Sequence, residues 1–520
     1  MAVNSLGREI PDKLCGRKLT PYSGAFSAQP SAVIGTNKRQ KRFLPGEKKL
    51  LPSIREAILK SGLRDGMTIS FHHHFREGDK IVGQVLNEIR ALGIKNLTFA
   101  PSAVVNVREP SISDFVRDGT IRRIEASGIR GELGNAVLEG LMEEPVILRT
   151  HGSRPRAIEA GELVIDVAFL GASAADEYGN ATGCIGPNAC GSLGFAMIDA
   201  RSAATVVVVT DHLVDYPCVP ASIAQDQVDY VVRVDEIGDP EKIGKGAARL
   251  TRNPRDLLIA KRAAKVIANC GWFRDGFSFL TGVGAIPIAC TQFLRDEMVK
   301  RGIAAGMAVG GIPGSAIRLF EEGLIRCVQA VQSFDAESAL AIDANKMVLE
   351  CDNSLYANPH SCGCLVNRLD VGLLGALEVD VDFNVNLLTG ANGEMVGGLG
   401  GGPDAAAGAA VPVVALPLVR GRIPSVVRRV MTACTPGETV AAVVTEAGIA
   451  LNPRHRNYKA VKASLDAARI ETVPIETLCG MAEEITGVPK PIECTGRVVA
   501  VVEYRDGTVI DVIRQIKTER

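Results

Sequence analysis

The sequence predicts an α/β protein built from two tandem, similar open α/β domains with mainly parallel sheets. Three observations predict it. Short apolar runs alternate with amphipathic helical stretches in both halves of the chain, the pattern of βαβ units. Short motifs of the first half recur in the second, in the same chain order, at a nearly constant offset of about 205–210 residues, the mark of an internal duplication. The third is length: 520 residues exceed what one hydrophobic core organises.

Residues 1–45 show no apolar periodicity and carry the basic run Lys38, Arg39, Lys41 and Arg42, which reads as a solvated N-terminal arm or a dock for an acidic partner. From Glu47, the positions Leu50, Leu51, Ile54, Ile58 and Leu59 have helical spacing, and Gly62 suits the residue just past a helix end. Met67 to Phe71 reads as a buried strand. Ile81, Val82, Val85, Leu86, Ile89 and Leu92 form a second amphipathic helix closed by Gly93, and Asn96 to Ala100 is the next strand. Leu163–Phe169 and Ala204–Val209 continue the series, the latter suited to a strand buried on both faces.

The second half repeats this order: a helix over Pro254 to Asn269, a strand over Phe277 to Leu280, a Gly-rich loop, then a helix through Arg301. Arg64-Asp65-Gly66 matches Arg274-Asp275-Gly276, Gly93-Ile94 matches Gly302-Ile303, and Gly119-Thr-Ile-Arg122 matches Gly323-Leu-Ile-Arg326. Asp176-x-x-x-Asn180 matches Asp380-x-x-x-Asn384. The expected organisation is an arm over 1–45, a first domain over 46–252 and a second over 253–520. At the far end, Val498–Tyr504 and Thr508–Ile513 flank Arg505-Asp506-Gly507 as a β-hairpin.

Composition excludes several classes. A net charge of −1 lacks the positive excess that nucleic-acid phosphates demand. No stretch reaches the roughly 20 apolar residues of a membrane span, and residues 1–30 hold no signal-peptide core. The 13 scattered cysteines suit a reducing compartment, so the expected location is the cytoplasm. Glycine is enriched at 54 residues, which signals backbone turns and close approach to a ligand.

Three loops carry candidate chemistry. Thr281-Gly282-Val283-Gly284-Ala285-Ile286-Pro287 follows a strand and opens a helix, where backbone N–H groups meet an anion or carbonyl, or simply form a tight βα turn. The matching first-half loop, His72-His73-His74-Phe75-Arg76-Glu77-Gly78-Asp79, holds three of the seven histidines. Consecutive histidines seldom converge on one metal ion, so lining for an anionic substrate is preferred over a metal site, with plain loop polarity as the alternative. The third stretch runs from Glu378 through Asp380, Asp382, Asn384 and Asn386 to a segment with six glycines over Gly393–Gly402. Its acids suit a general base or Mg²⁺, its glycines oxyanion donors, and a flexible loop is the bland alternative. His360-x-Cys362-x-Cys364 lacks a second ligand pair, so no metal is expected. No G-x-x-x-x-G-K-[ST] occurs, so ATP is not implied.

Together these loops resemble the citrate lyase α-chain family. The resemblance rests on Ser70-Phe-His-His-His-Phe-Arg-Glu-Gly-Asp79, Gly171-Ala-Ser-Ala-Ala-Asp-Glu-Tyr-Gly-Asn180 and Leu388-Thr-Gly-Ala-Asn-Gly-Glu394, and it spans nearly the whole chain. More distantly, the second half is similar to the acetyl-CoA hydrolase and transferase group. The resemblance implies a CoA-transferase type of fold, with the active site between two similar α/β domains. It implies exchange of acetyl for citryl on a phosphopantetheine thioester carried by a separate acyl carrier protein, with citrate and acetate as the acids and no metal. The carrier (gamma) and citryl-lyase (beta) subunits would be separate chains, and this chain a homo-oligomer.

Under that resemblance the catalytic candidates are Glu378, Gly400 and Gly401. His72, His74, Arg76, Arg318 and Asn384 are the substrate-binding candidates, and Gly282, Val283, Gly284 and Ala285 the thioester-binding ones. One departure stands out. CoA-transferase relatives carry a nucleophilic glutamate in a segment that here reads Gly310-Gly-Ile-Pro-Gly-Ser-Ala-Ile-Arg-Leu-Phe-Glu-Glu-Gly323. Anchored on Gly323, the glutamate position falls on Arg318, which leaves a covalent glutamyl intermediate without its usual residue. The alternatives are a hydrolase or transferase using free CoA thioesters, a non-catalytic scaffold subunit, and a sugar-phosphate isomerase or deaminase of similar topology.

Overall fold

The valine run Val206–Val209 is buried along its length because its strand, Thr205–Thr210, has parallel partners on both edges. A computed structural model describes residues 2–27, 46–104, 110–243 and 251–517, and places this strand inside a ten-stranded sheet. Outward on one side lie Tyr230–Arg233 and Leu50–Leu51. On the other lie Val167–Gly171, Thr68–Ser70, Leu97–Phe99, Ile121–Ala126 and Val146–Arg149, all parallel.

The second half repeats seven of these parallel strands in the same order and differs at the edge strand. Its eight-stranded sheet runs Val348–Glu350, Val328–Ser333, Met307–Ile312, Ser278–Thr281, Val371–Leu374, Val411–Ala415, Ala442–Val444 and Ile449–Leu451. Every neighbouring pair is parallel except the last. The strand period of two sorts its side chains into two cores. Ala308, Ala330, Leu373 and Val413 face the helices Pro254–Ala268 and Ala285–Arg301, while Val309, Val331, Leu374 and Val414 face the opposite side.

The duplication extends to single hydrogen bonds. Asp65 Oδ1 accepts from the Lys95 N–H at 2.8 Å, and Asp275 Oδ1 accepts from the Ala304 N–H at 3.0 Å. The glycine after each aspartate has φ +81°, a left-handed conformation that an L side chain resists.

Two local expectations change. Leu50 and Leu51 form an edge strand, and the helix begins only at Ile54, capped by the Ser53 hydroxyl accepting from the Glu56 N–H and closed at Gly62 with φ +70°. The helical spacing of Leu50 and Leu51 was coincidental, because two apolar residues beside a cap fit either period. The expected strand over Leu163–Phe169 is shifted to Val167–Gly171.

Both ends of the chain also depart from the expected division. The C-terminal hairpin, Cys494–Glu503 with Val509–Ile516, does not extend the second sheet. Its first strand pairs in parallel with Val146–Arg149 and enlarges the first one. Residues 2–27 are not a free arm: Ile10 and Leu19 are buried with Val501 and Val509 of that hairpin. Single anchors hold this segment, which is why it shows no periodicity. The basic run Lys38, Arg39, Lys41 and Arg42 lies outside the described residues. Among those described, no helix is long and apolar enough to cross a membrane.

Candidate active site

Parallel sheets present their loops at the carboxyl ends of the strands, and here the loops of both sheets meet. Strand Ser278–Thr281 runs into the glycine loop, where the Gly282 N–H donates to Leu373 O at 2.7 Å and Val283 is 52% exposed. Gly284, at φ +136°, caps the helix Ala285–Arg301. Next to it, strand Met307–Ile312 slips register between Gly310 and Gly311, and a Cβ at Gly311 would stand 2.0 Å from the Phe334 ring. These features open a cavity of about 260 Å³, closed on its far side by Gly398, Leu399, Gly400, Gly401 and Gly402.

The glycine-rich segment reaches that position by lying against the first sheet. Gly398 bridges Gly128, the Leu399 N–H donates to Ser127 O at 2.7 Å, and the His151 N–H donates to Gly400 O at 2.9 Å. Ser127 and His151 follow the strands Ile121–Ala126 and Val146–Arg149. The segment is therefore a seam between the repeats rather than a loose linker.

His151 itself lines the cavity and was missed by the sequence reading. Its turn is held by a buried carboxylate: Asp404 accepts from the Thr150 hydroxyl at 2.9 Å and the Gly152 N–H at 3.0 Å, and pairs with Arg505 at 3.7 Å. Burial pushes the Asp404 carboxyl up to about 6, against the opposing pull of Arg505. Burial also lowers the His151 imidazole to about 3, helped by Arg154 and Arg76, so it is neutral at pH 7. Gln332 and Tyr356 line the cavity as well, from elements that carried no motif.

Of the residues singled out from sequence, Gly282, Val283, Gly400 and Gly401 line the cavity. Gly284 and Ala285 sit one step further on, as cap and first residue of the helix. The histidine loop forms a layer behind. His72 Nε2 bonds Gly171 O at 2.8 Å, His74 Nε2 accepts from the Phe195 N–H at 3.3 Å, and the His73 ring lies 5.8 Å from that of His151. Burial holds His72 at about 4 and His74 well below the usual imidazole range, so neither carries the charge an anion would seek. Arg76 stacks over Phe334 at 5.2 Å, donates to Ser333 O at 3.1 Å, and burial lowers it to about 10.

Three further candidates, besides the histidine loop and the helix start, do not line the cavity either. Arg318 points outward from the helix Gly314–Glu321 and forms an exposed ion pair with Glu337. Asn384 is absorbed in a turn: its N–H donates to Asp380 Oδ1 at 2.9 Å, and its Oδ1 accepts from the Gly437 N–H at 2.9 Å. Asn180 does the same in the first repeat, with Asp176 and the Gln225 N–H as partners. The shared Asp-x-x-x-Asn motif is thus a structural latch. Glu378 is buried, accepts from Asn386 Nδ2 at 2.9 Å, and is raised above the usual carboxylate range by burial. Among the described residues no group of three or more His, Cys, Asp or Glu is placed to hold a metal ion, His360, Cys362 and Cys364 included.

Residues 47–516 match the family model of the citrate lyase alpha subunit. The citrate lyase alpha chain of Klebsiella pneumoniae is 49% identical over 96% of this chain and 96% of its own length. That of Escherichia coli strain K12 is 49% identical over 95% of each. Among solved structures, an alpha subunit of citrate lyase from Streptococcus mutans, in complex with citrate, superposes with a TM-score of 0.95 at 47% identity, covering 99% of this chain and 100% of that one. A Pseudomonas malonate decarboxylase hetero-tetramer in complex with malonate shares the fold at a TM-score of 0.63 and 18% identity, over 85% of this chain and 88% of that one.

Proposed function

This chain belongs to the citrate lyase alpha-subunit family, whose members are transferase-type catalytic subunits, and we propose that its cavity exchanges acetyl for citryl on the thioester of a separate acyl carrier protein. The observation that carries this reading is the character of the cavity. It is walled by two glycine loops and by apolar side chains, and none of its lining side chains is Asp, Glu, Lys or Arg. Such a site suits an uncharged thioester and offers backbone N–H groups for the oxyanion that forms on it. The citrate held by the Streptococcus mutans relative supports citrate as the acid.

Without a carboxylate in the wall, transfer proceeds directly between the two substrates. A citrate carboxylate oxygen attacks the acetyl thioester carbonyl, and the sulfur leaves as a thiolate. That thiolate attacks the citryl carbonyl of the resulting mixed anhydride, and acetate leaves. One thioester replaces another, so no external energy source enters. The protein contributes alignment and oxyanion stabilisation, with Gly400 and Gly401 at the cavity wall as backbone donors, while Gly282, whose N–H is spent on Leu373 O, lets the thioester approach closely. Neutral His151 borders the same space, while His72 and His74 support the wall from behind. Arg76, over Phe334, is the cation of that loop beside the lining and the anchor we assign to citrate. The carrier (gamma) and carbon–carbon-cleaving (beta) subunits are the partners this function requires, and the chain works as a homo-oligomer.

The test is to give the full chain citrate with either the acetylated carrier protein or acetyl-CoA, and to follow citryl-thioester and acetate by mass spectrometry. Citryl transfer to the carrier in step with acetate release is expected. Acetate release to water without citryl transfer would overturn the reading. A glutamate trapped by hydroxylamine after incubation with the acetyl thioester would overturn the direct route.

A further inference from the structure

Gln332 ends the inner stretch of strand Val328–Ser333, opposite Gly311 in the pairing with the neighbouring strand. The register slip between Gly310 and Gly311 sets this pairing. Bulges at strand ends re-aim side chains, and here Val331, Gln332 and Phe334 all border the cavity. Gln332 is only 5% exposed, yet its Nε2 has no hydrogen-bond partner. A buried primary amide left unpaired is costly, and proteins keep such groups where a ligand completes them.

We propose that Gln332 Nε2 donates the hydrogen bond that holds the acyl-thioester carbonyl oxygen, and that this bond strengthens as the oxygen becomes an oxyanion. The inference rests on the thioester-exchange reading above and adds a catalytic side chain to its backbone donors. The cavity chemistry selects the thioester over a citrate carboxylate. A citrate carboxylate is charged from the outset and takes its cation from Arg76 beside the lining, whereas the thioester carbonyl is neutral until attack begins and suits the uncharged donor of Gln332. The donor then acts chiefly on the transition state, so its loss falls on kcat.

The experiment compares full-length wild type, Gln332→Ala and Gln332→Glu in acetyl-to-citryl exchange on the acetylated carrier, with thermal melting as the folding control. Gln332→Ala is expected to lower kcat on the order of 10²-fold, with KM for citrate held within about threefold. Gln332→Glu keeps the side-chain size, so it carries the test if the alanine variant unfolds. It is expected to lose activity at neutral pH and to recover part of it in acid, where the protonated carboxyl donates again. A merely structural glutamine would not produce that pH profile. The proposal is overturned if both variants retain kcat within about threefold of wild type, or if only KM for citrate rises. Absence of exchange in the wild type would instead sink the functional reading itself, so the two failures are distinguishable.

Discussion

Gly128 and Gly398 pair across the seam between the two repeats so closely that a methyl group on Gly128 would stand 2.4 Å from Gly398 Cα. The same seam continues through His151 and Gly400, whose backbones share a hydrogen bond of 2.9 Å at the cavity wall. Backbone contact of this kind makes the position of the glycine segment at the cavity wall a property of both halves of the chain.

Gly128→Ala is accordingly expected to force the seam apart, lowering stability by about 1–3 kcal/mol and reducing exchange more than the folded fraction falls. Gly480→Ala serves as the control: it lies in the helix Ile475–Thr486 with nothing within 4 Å of an added Cβ. It should be neutral or stabilise by up to about 1 kcal/mol, because alanine is the better helix former. Chemical denaturation and steady-state exchange measure both effects.

Asn384→Ala and Asn180→Ala should behave alike, because each removes the same latch from one repeat. Each is expected to lose about 1–3 kcal/mol of stability, since the orphaned partners stay buried. The KM for citrate of the folded protein should stay at the wild-type value. A large rise in that KM for Asn384→Ala alone would return the residue to the substrate site.

Arg318→Ala removes an exposed ion pair with Glu337 and no wall of the cavity. Stability should change by about 0–1 kcal/mol, and exchange kinetics should match the wild type. Loss of activity in this variant would place the guanidinium at the reaction after all.

Asp404 gives a pH signature. Its folded value is about 6 against an ordinary 3.8, so the folded chain holds the proton across that interval while the unfolded chain has released it. Stability from this group therefore falls as pH rises from about 4 to about 6, and the loss is complete above that window. Asp404→Asn removes the titration. Between pH 4 and pH 7 the variant should gain stability relative to wild type, on the order of 2 kcal/mol, in melts across that range. Exchange activity should fall, because the turn that carries His151 loses an acceptor from the Thr150 hydroxyl and the Gly152 N–H.

Much of the architecture was legible in the residues. The glycines after helices at Gly62 and Gly302 adopt φ of +70° and +63°, and the apolar runs became parallel strands in matching order. The glycine loops were legible too, because only glycine tolerates such close backbone approach. The candidate site was less so. Glu378 reads as a catalytic candidate and Asn384 as a substrate-binding one in the sequence, but local hydrogen bonds occupy both side chains in the fold. Arg318 stood at a position inferred by alignment, and its helix faces it outward.

Fold class, duplication and the two glycine loops are all readable from spacing along the chain. Which side chains share the cavity follows instead from the packing of distant segments. His151, Gln332 and Tyr356 come from three separate elements, brought together where the glycine segment crosses to the first sheet. Likewise, only folding showed that the C-terminal hairpin belongs to the first sheet and delivers Arg505 to Asp404. Contacts between distant segments depend on how layers pack, and no local periodicity records that packing.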